Sequence, residues 1–192
     1  MGSPLEENLN VVFKCAWNNR LYRARCDGCP PGITHTCSSQ KIHVHIERTE
    51  PCWEMNLFNK LEFGSGDNVS IRRTNRDKIA IFTTKKPDLD HRSIIGITRI
   101  TQIRKHETST CPHGTFWSDI IMGDHVLFVE IPEKIDINYE TWDNRPWRRM
   151  LFRHLNDDRV REILITIKSR FQDTGINSNI LRKLNELIAL VS

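Results

Sequence analysis

The chain has 192 residues, of which 38% are hydrophobic and 27% charged, with 28 Lys and Arg against 24 Asp and Glu. That length allows one medium domain with a sizeable core, or a domain with a short appendage. No apolar run approaches the roughly 18 residues of a membrane span, and the N-terminus lacks a signal-peptide pattern, so a soluble, cytoplasmic protein is expected.

Gly2, Ser3 and Pro4 read as a cloning scar, which sets residues 1–4 aside and leaves 5–175 as the expected domain. Residues 176–192 are expected to form a helix that packs on this domain or leads to a linker. The formal charge of +4 is unevenly spread. Between Val69 and Lys105 there are ten Lys and Arg against three Asp, a local excess of seven. Such an excess suits a polyanion-binding surface, because each neutralised phosphate releases counterions. It equally suits a solvated sheet edge, where Lys and Arg discourage edge-to-edge pairing.

In chain order, Asn10 to Ala16 (NVVFKCA) reads as a first strand running into Trp17, Asn18 and Asn19. An aromatic ring followed by two amides is able to stack on a planar group and bond its edge; the same triplet also makes a buried Trp and a turn. Cys26, Cys29 and Cys37 lie close together in RARCDGCPPGITHTCSS, with His35 beside them. This spacing offers three ligands for a tetrahedral zinc, with reduced thiols or a disulfide as the alternative. No cofactor is otherwise required. Lys41 to Glu47 (KIHVHIE) alternates strictly, placing His43, His45 and Glu47 on one strand face. Two histidines so spaced are able to share a metal, the basis of a metal-dependent nuclease alternative that lacks a matching carboxylate pair.

Glu50 to Phe63 changes period: Trp53, Leu57 and Leu61 recur every four residues, which predicts a helix ending at Gly64-Ser65-Gly66. Strands are predicted at 68–73, 78–84, 94–103 and 126–131. Gly96 within the third marks a close approach or a bulge, and Trp117 lies in the loop before the fourth. The run YETWDNRPWRRMLFRHLND brings Trp142 and Trp147 together with Arg145, Arg148, Arg149 and Arg153, a second basic rim. Residues 157–171 and 178–190 read as amphipathic helices, the last with an Ile180, Leu184, Leu187, Val191 stripe.

DKIAIFTTKKPDLDHRSIIGITRI followed by GTFWSDIIMGDHVLFVEIPEKIDI resembles the central hairpin and following strand of the PUA-like superfamily, in its YTH and EVE branches. The similarity rests on Ile95-Gly96-Ile97, Phe116-Trp117-Ser118 and Glu130-Ile131-Pro132, with Phe13-Lys14 similar to the YTH start. The resemblance implies an α+β fold, a twisted β-barrel of about six strands flanked by helices. It also implies a non-enzymatic reader of methylated double-stranded DNA, most simply of 6-methyladenine, that flips the base into an aromatic cage. Trp117 matches the loop tryptophan of that cage, Trp53 falls near the second, and Trp17, Asn18 and Asn19 fall where polar base contacts follow the first strand. Arg72, Arg73, Lys85, Lys86, Arg92, Arg99 and Arg104 are then the residues expected to hold the nucleic-acid backbone. Domains of this kind precede the motor of McrB-type restriction GTPases, which makes a fused GTPase the expected partner. The same fold also binds modified or structured RNA, an alternative the sequence leaves open.

Overall fold

The computed structural model describes residues 8–15, 24–26, 45–47, 62–64, 71, 73–85, 89–108, 116–124, 136–147, 152–173 and 178–192. They form eight strands: β1 (Asn10–Cys15), β2 (Ala24–Cys26), β3 (His45–Glu47), β4 (Glu62–Gly64), β5 (Ile79–Thr84), β6 (Ser93–Thr108), β7 (Phe116–Gly123) and β8 (Phe152–Leu155). Two helices follow, α1 (Asp157–Gln172) and α2 (Ser178–Leu190). The chain divides into two compact units, one of residues 1–16, 72–100 and 124–192, the other of 17–71 and 101–123. The long strand β6 contributes to both.

In the first unit the strands run in the order β6-β5-β1-β8. β1 and β5 are parallel, with Val12 opposite Ile81 and Phe13 opposite Phe82, while β6 and β8 flank them antiparallel. A parallel pair needs a long crossover, and residues 16–78 supply it. Both strands are buried on both faces, which is why they read as nearly continuous apolar runs rather than alternating ones. One face, carrying Val12, Ile79, Ile81, Ile94, Ile97 and Leu155, meets the buried stripes of α1 and α2. On the other face Phe13 and Phe82 stack at 5.6 Å, and Phe152 tilts against Phe13.

The β5–β6 register slips between Phe82 and Thr83: Phe82 faces Gly96 and Thr83 faces Ile94, so Ile95 is an extra residue. A bulge interrupts the period of two, which lets Ile94 and Ile97, three apart, both join the helix-side core. Of the two features that Gly96 suggests, a close approach or a bulge, the structure has a register shift beside it, at Ile95. At the start of β5 a turn places Asp77 at φ 62°, and Asp is one of the few residue types that enter this region readily.

Buried Asn10 joins three elements. It accepts from the Ile79 amide at 2.9 Å, and its Nδ2 donates to Asp157 Oδ1 at 2.7 Å and to the Leu155 carbonyl at 3.4 Å. Lys78 Nζ meets both oxygens of Asp157 at 2.8 Å. Helix α1 begins where the sequence directs it, with Asn156 capping the Arg159 amide and Asp157 and Asp158 in the first turn, where acids complement the helix dipole. Leu184, Leu187 and Val191 of the terminal stripe are buried in the same core, so α2 packs on this unit.

The second unit holds two antiparallel pairs among the described residues, β2 with β3 and β4 with β7. Met122 of β7 also accepts from the Thr101 hydroxyl through its carbonyl at 3.2 Å.

Several expectations change. The fold is α+β, but among the described residues its mixed sheet is open: β8 is an edge strand paired with β1 alone, and no barrel closes. Glu62 and Phe63, expected to end a helix, lie in β4, where pairing with Met122 and Ile121 overrides the local four-residue period. Ile71 and Arg73, expected in a strand, are not in one. Trp117 belongs to β7 rather than to a loop, because the strand begins at Phe116. β8 was not foreseen, and the strand expected at 126–131 lies outside the described residues. No helix among them is long and apolar enough to cross a membrane.

Candidate functional site at the carboxyl end of the parallel strands

The parallel register sets Cys15 opposite Thr84. The ends of β1 and β5 therefore lie side by side at one end of the sheet. Diverging connections at the carboxyl ends of adjacent parallel strands are where open sheets bind ligands. β6 starts at the same end, since Ser93 pairs with Thr84, and Asn138 bridges back to Ser93.

Arg92 stands at this end, immediately before β6. It is only 6% exposed, and its guanidinium reaches Thr83, Nε to the hydroxyl at 3.3 Å and Nη2 to the carbonyl at 3.4 Å. Its guanidinium carbon lies 5.3 Å from the Trp147 ring centre, and that of Arg153 lies 4.2 Å from the same ring. Two buried cations on one indole require a counter-charge, and Asp143 supplies it. Asp143 Oδ2 is 2.9 Å from Arg153 Nη1, and Arg145 grips both carboxylate oxygens at 2.8 and 2.7 Å. Arg153 Nη2 donates to the carbonyls of Arg145 and Pro146 at 2.6 and 2.8 Å. Burial alone would raise the Asp143 carboxyl, but the bonds from Arg145 and Arg153 outweigh it and lower its pKa to about 2. Tyr139, fully buried beside it, has its phenol pushed well above the usual value by burial first and the Asp143 charge second. These groups are locked as charge pairs and donors; their chemistry is positioning.

His91, next in sequence to Arg92, is held between two carboxylates. Its Nδ1 is 2.9 Å from Asp90 Oδ1, and its Nε2 makes a very short contact with Asp136 Oδ2. Ser93 Oγ donates to the other Asp136 oxygen at 2.5 Å. Ser93 thus bonds the acid rather than the imidazole, which is not the nucleophile–base contact of a hydrolase relay. Burial lowers the His91 pKa, but the two carboxylates more than offset this and raise it overall. A group that gains affinity for its proton on folding stabilises the fold fully below its ordinary value of 6.5 and loses that contribution as pH rises through the higher folded value. Accordingly, the urea midpoint of the wild type should exceed that of His91→Gln below pH 6.5, and the gap should close as pH rises through the raised folded value; a gap independent of pH would show that the contact carries no proton linkage.

The residues expected to hold a nucleic-acid backbone fall in different settings. Arg73 and Lys85 are exposed, Arg73 ahead of the turn that precedes β5 and Lys85 immediately after the strand. Arg92 is buried on Trp147 and not on a surface rim, because Thr83 and the indole hold it. Arg99 is ion-paired with Asp124 at 2.8 Å and lies 3.9 Å from Asp77. Arg104 is half-buried. Arg153 likewise leaves the second basic rim for the interior. Trp17, Asn18, Asn19, Trp53, Arg72 and Lys86 lie outside the described residues, as do Cys29, Cys37 and His43. Trp117 is placed by its backbone in β7, Cys26 in β2, and His45 and Glu47 in β3; their side chains are not among those described.

Sequence reasoning missed the Asp143–Arg153–Trp147 cluster. Two signals pointed to it: a single acid set among arginines, and the alternating FRHL of β8 just before the Asn156 cap. Among the described residues no group of three or more His, Cys, Asp or Glu is arranged to hold a metal ion. Comparison of the chain with protein-family models, with curated proteins and with solved structures gave no match.

Proposed function

We propose that this chain is a non-enzymatic reader of methylated DNA, with a PUA-like fold of the YTH and EVE type. The observation that supports the reading best is the parallel register of β1 and β5. It sets Cys15 opposite Thr84, so the two strands finish side by side at the carboxyl end of the sheet, where open sheets bind ligands. The base, most simply 6-methyladenine, is flipped from the duplex and stacked by Trp17, Trp53 and Trp117, while Asn18 and Asn19 bond its edge. A cage of this kind favours the methylated base because the methyl group fills apolar space that plain adenine leaves empty. Arg73 and Lys85 hold the backbone, and the buried Arg92–Trp147–Arg153 stack, with Arg92 bonded to Thr83, stiffens the end of β5. The module would serve a modification-dependent restriction system, joined to a GTPase motor.

The test is a binding titration with methylated, hydroxymethylated and plain duplexes of one sequence at one salt concentration. Preference for the methylated duplex is expected, and equal affinity for all three would overturn the reading. Trp117→Ala should reduce that preference by about 1–3 kcal/mol, the worth of one base stack. An unchanged preference would remove Trp117 from the cage.

A further inference from the structure

His91 is engaged through both ring nitrogens, Nδ1 with Asp90 and Nε2 with Asp136. A neutral imidazole has one N–H and one lone pair, so it donates to one carboxylate and turns a lone pair on the other. Only the imidazolium donates to both. The two acids are held differently. Asp136 also accepts from Ser93, and the residues after it are tied to the start of β6: the Ile94 amide donates to the Ile137 carbonyl at 3.0 Å and the Tyr139 amide to the Arg92 carbonyl at 2.8 Å. The Asp90 side chain is fully exposed. Loss of the proton therefore keeps the remaining N–H on Asp136 and releases Asp90.

These contacts stand at the end of the sheet where β1 and β5 finish, since Ser93 pairs with Thr84 and Thr84 with Cys15. Lys85 follows Thr84 directly, and its charge acts on Asp90. Arg92, the next residue after His91, is turned inward onto Thr83 and Trp147. Among the described residues, then, the charged groups facing His91 are Asp90 and Asp136, with Lys85 beyond Asp90. With His91 protonated, the charges of Lys85, His91, Asp90 and Asp136 cancel. With His91 neutral, one negative charge is left over at the end of the sheet where a ligand is expected.

We propose that His91 is a proton-linked switch for phosphate-backbone binding at the carboxyl end of β1 and β5. Its imidazolium offsets Asp90 and Asp136, whereas its neutral form frees Asp90 to compete with the backbone for Lys85. The inference rests on the reading of the chain as a DNA reader and adds to it a regulation by pH. Because the two carboxylates favour the imidazolium, the switch operates above the ordinary histidine value of 6.5. The coupling is reciprocal: if protonation strengthens DNA binding, bound DNA strengthens protonation by the same factor.

The experiment titrates wild type and His91→Gln with plain and methylated duplexes of one sequence, at one salt concentration, across the pH range in which the His91 ring signal titrates by NMR. Wild-type affinity for both duplexes should fall about two- to fivefold across that range, the effect of one unit charge several ångströms from a phosphate in water. His91→Gln should lack this step. In the wild type the His91 titration should also move to higher pH when duplex is bound, a readout that needs no variant. The same fall in His91→Gln as in wild type, or a His91 titration unmoved by duplex, overturns the proposal. Methyl preference separates the switch from the reading on which it rests. A pH step without preference keeps the switch and removes the base reader, whereas preference without the step does the reverse. Failure to bind any duplex overturns both.

Discussion

Asp143→Ala should destabilise the protein by about 3–5 kcal/mol, because it strands Arg153 in the interior without its counter-charge. Asp143 is 7% exposed and Arg153 4%, so solvent cannot take over the lost partner. Arg153 would keep its two carbonyl acceptors, Arg145 and Pro146, and its place on the Trp147 ring. Its Nη1, however, faces Asp143 Oδ2 off the hydrogen-bond direction, a charge contact that no neighbouring group replaces. For a chain of this size the expected loss corresponds to a fall in Tm of about 10 °C. Equilibrium urea unfolding measures it directly, and a loss below about 1 kcal/mol would mean that Arg153 finds water when its partner is gone. Adding Arg153→Met to Asp143→Ala should recover much of the loss, since removing both charges leaves none to desolvate. The acid limb provides a second check. With its folded pKa lowered to about 2, Asp143 contributes fully above the unfolded value near 3.8, and the contribution disappears as pH falls through about 2. The difference between wild type and Asp143→Ala should therefore shrink only below about pH 4.

Phe82→Ala is the second large effect, again about 3–5 kcal/mol, by loss of buried surface and creation of a cavity at the centre of the sheet. Phe82 is fully buried and stacks on Phe13 with an interplanar angle of 14°, directly across the parallel ladder. Phe152→Ala, on the edge strand, should cost clearly less, because Phe152 is half-buried and meets Phe13 at a tilt. Thermal unfolding of the two variants checks the order. If Phe152→Ala proved the more damaging, the face carrying Phe13 and Phe82 would not be the tightly packed one.

The contrast between these residues shows which features local sequence conveys. The helices were legible because their signals are local: a capping Asn156, acids in the first turn, and apolar stripes whose 3.6-residue period closes within a few turns. β1 and β5 were legible as strands from their β-branched and aromatic runs, and the register shift falls next to Gly96, at Ile95. Arg153 and Arg92 were misjudged because an arginine in sequence looks the same on a rim or over an indole. Only the pairing of β8 with β1 brings Arg153 to Asp143, two residues ten apart in a segment without regular period. Glu62 and Phe63 were misjudged for a related reason, since their strand exists through Met122 and Ile121, some sixty residues away. Of the candidate site, the residue types were visible, but the tie between β1 and β5 was not.

By itself, then, the sequence determined the α+β class, the two terminal helices with their core-facing stripe, the main strands of the sheet, and a local excess of positive charge. Those follow from propensity, capping and periodicity, which act over a few residues. The tertiary structure alone decided that β1 and β5 run parallel, that the sheet is open among the described residues, which arginines are buried, and that Cys26 and His45 share a register position. Each of these depends on contacts between residues far apart in the chain, where side-chain type says what an interaction would be worth and only the fold says whether the partners meet.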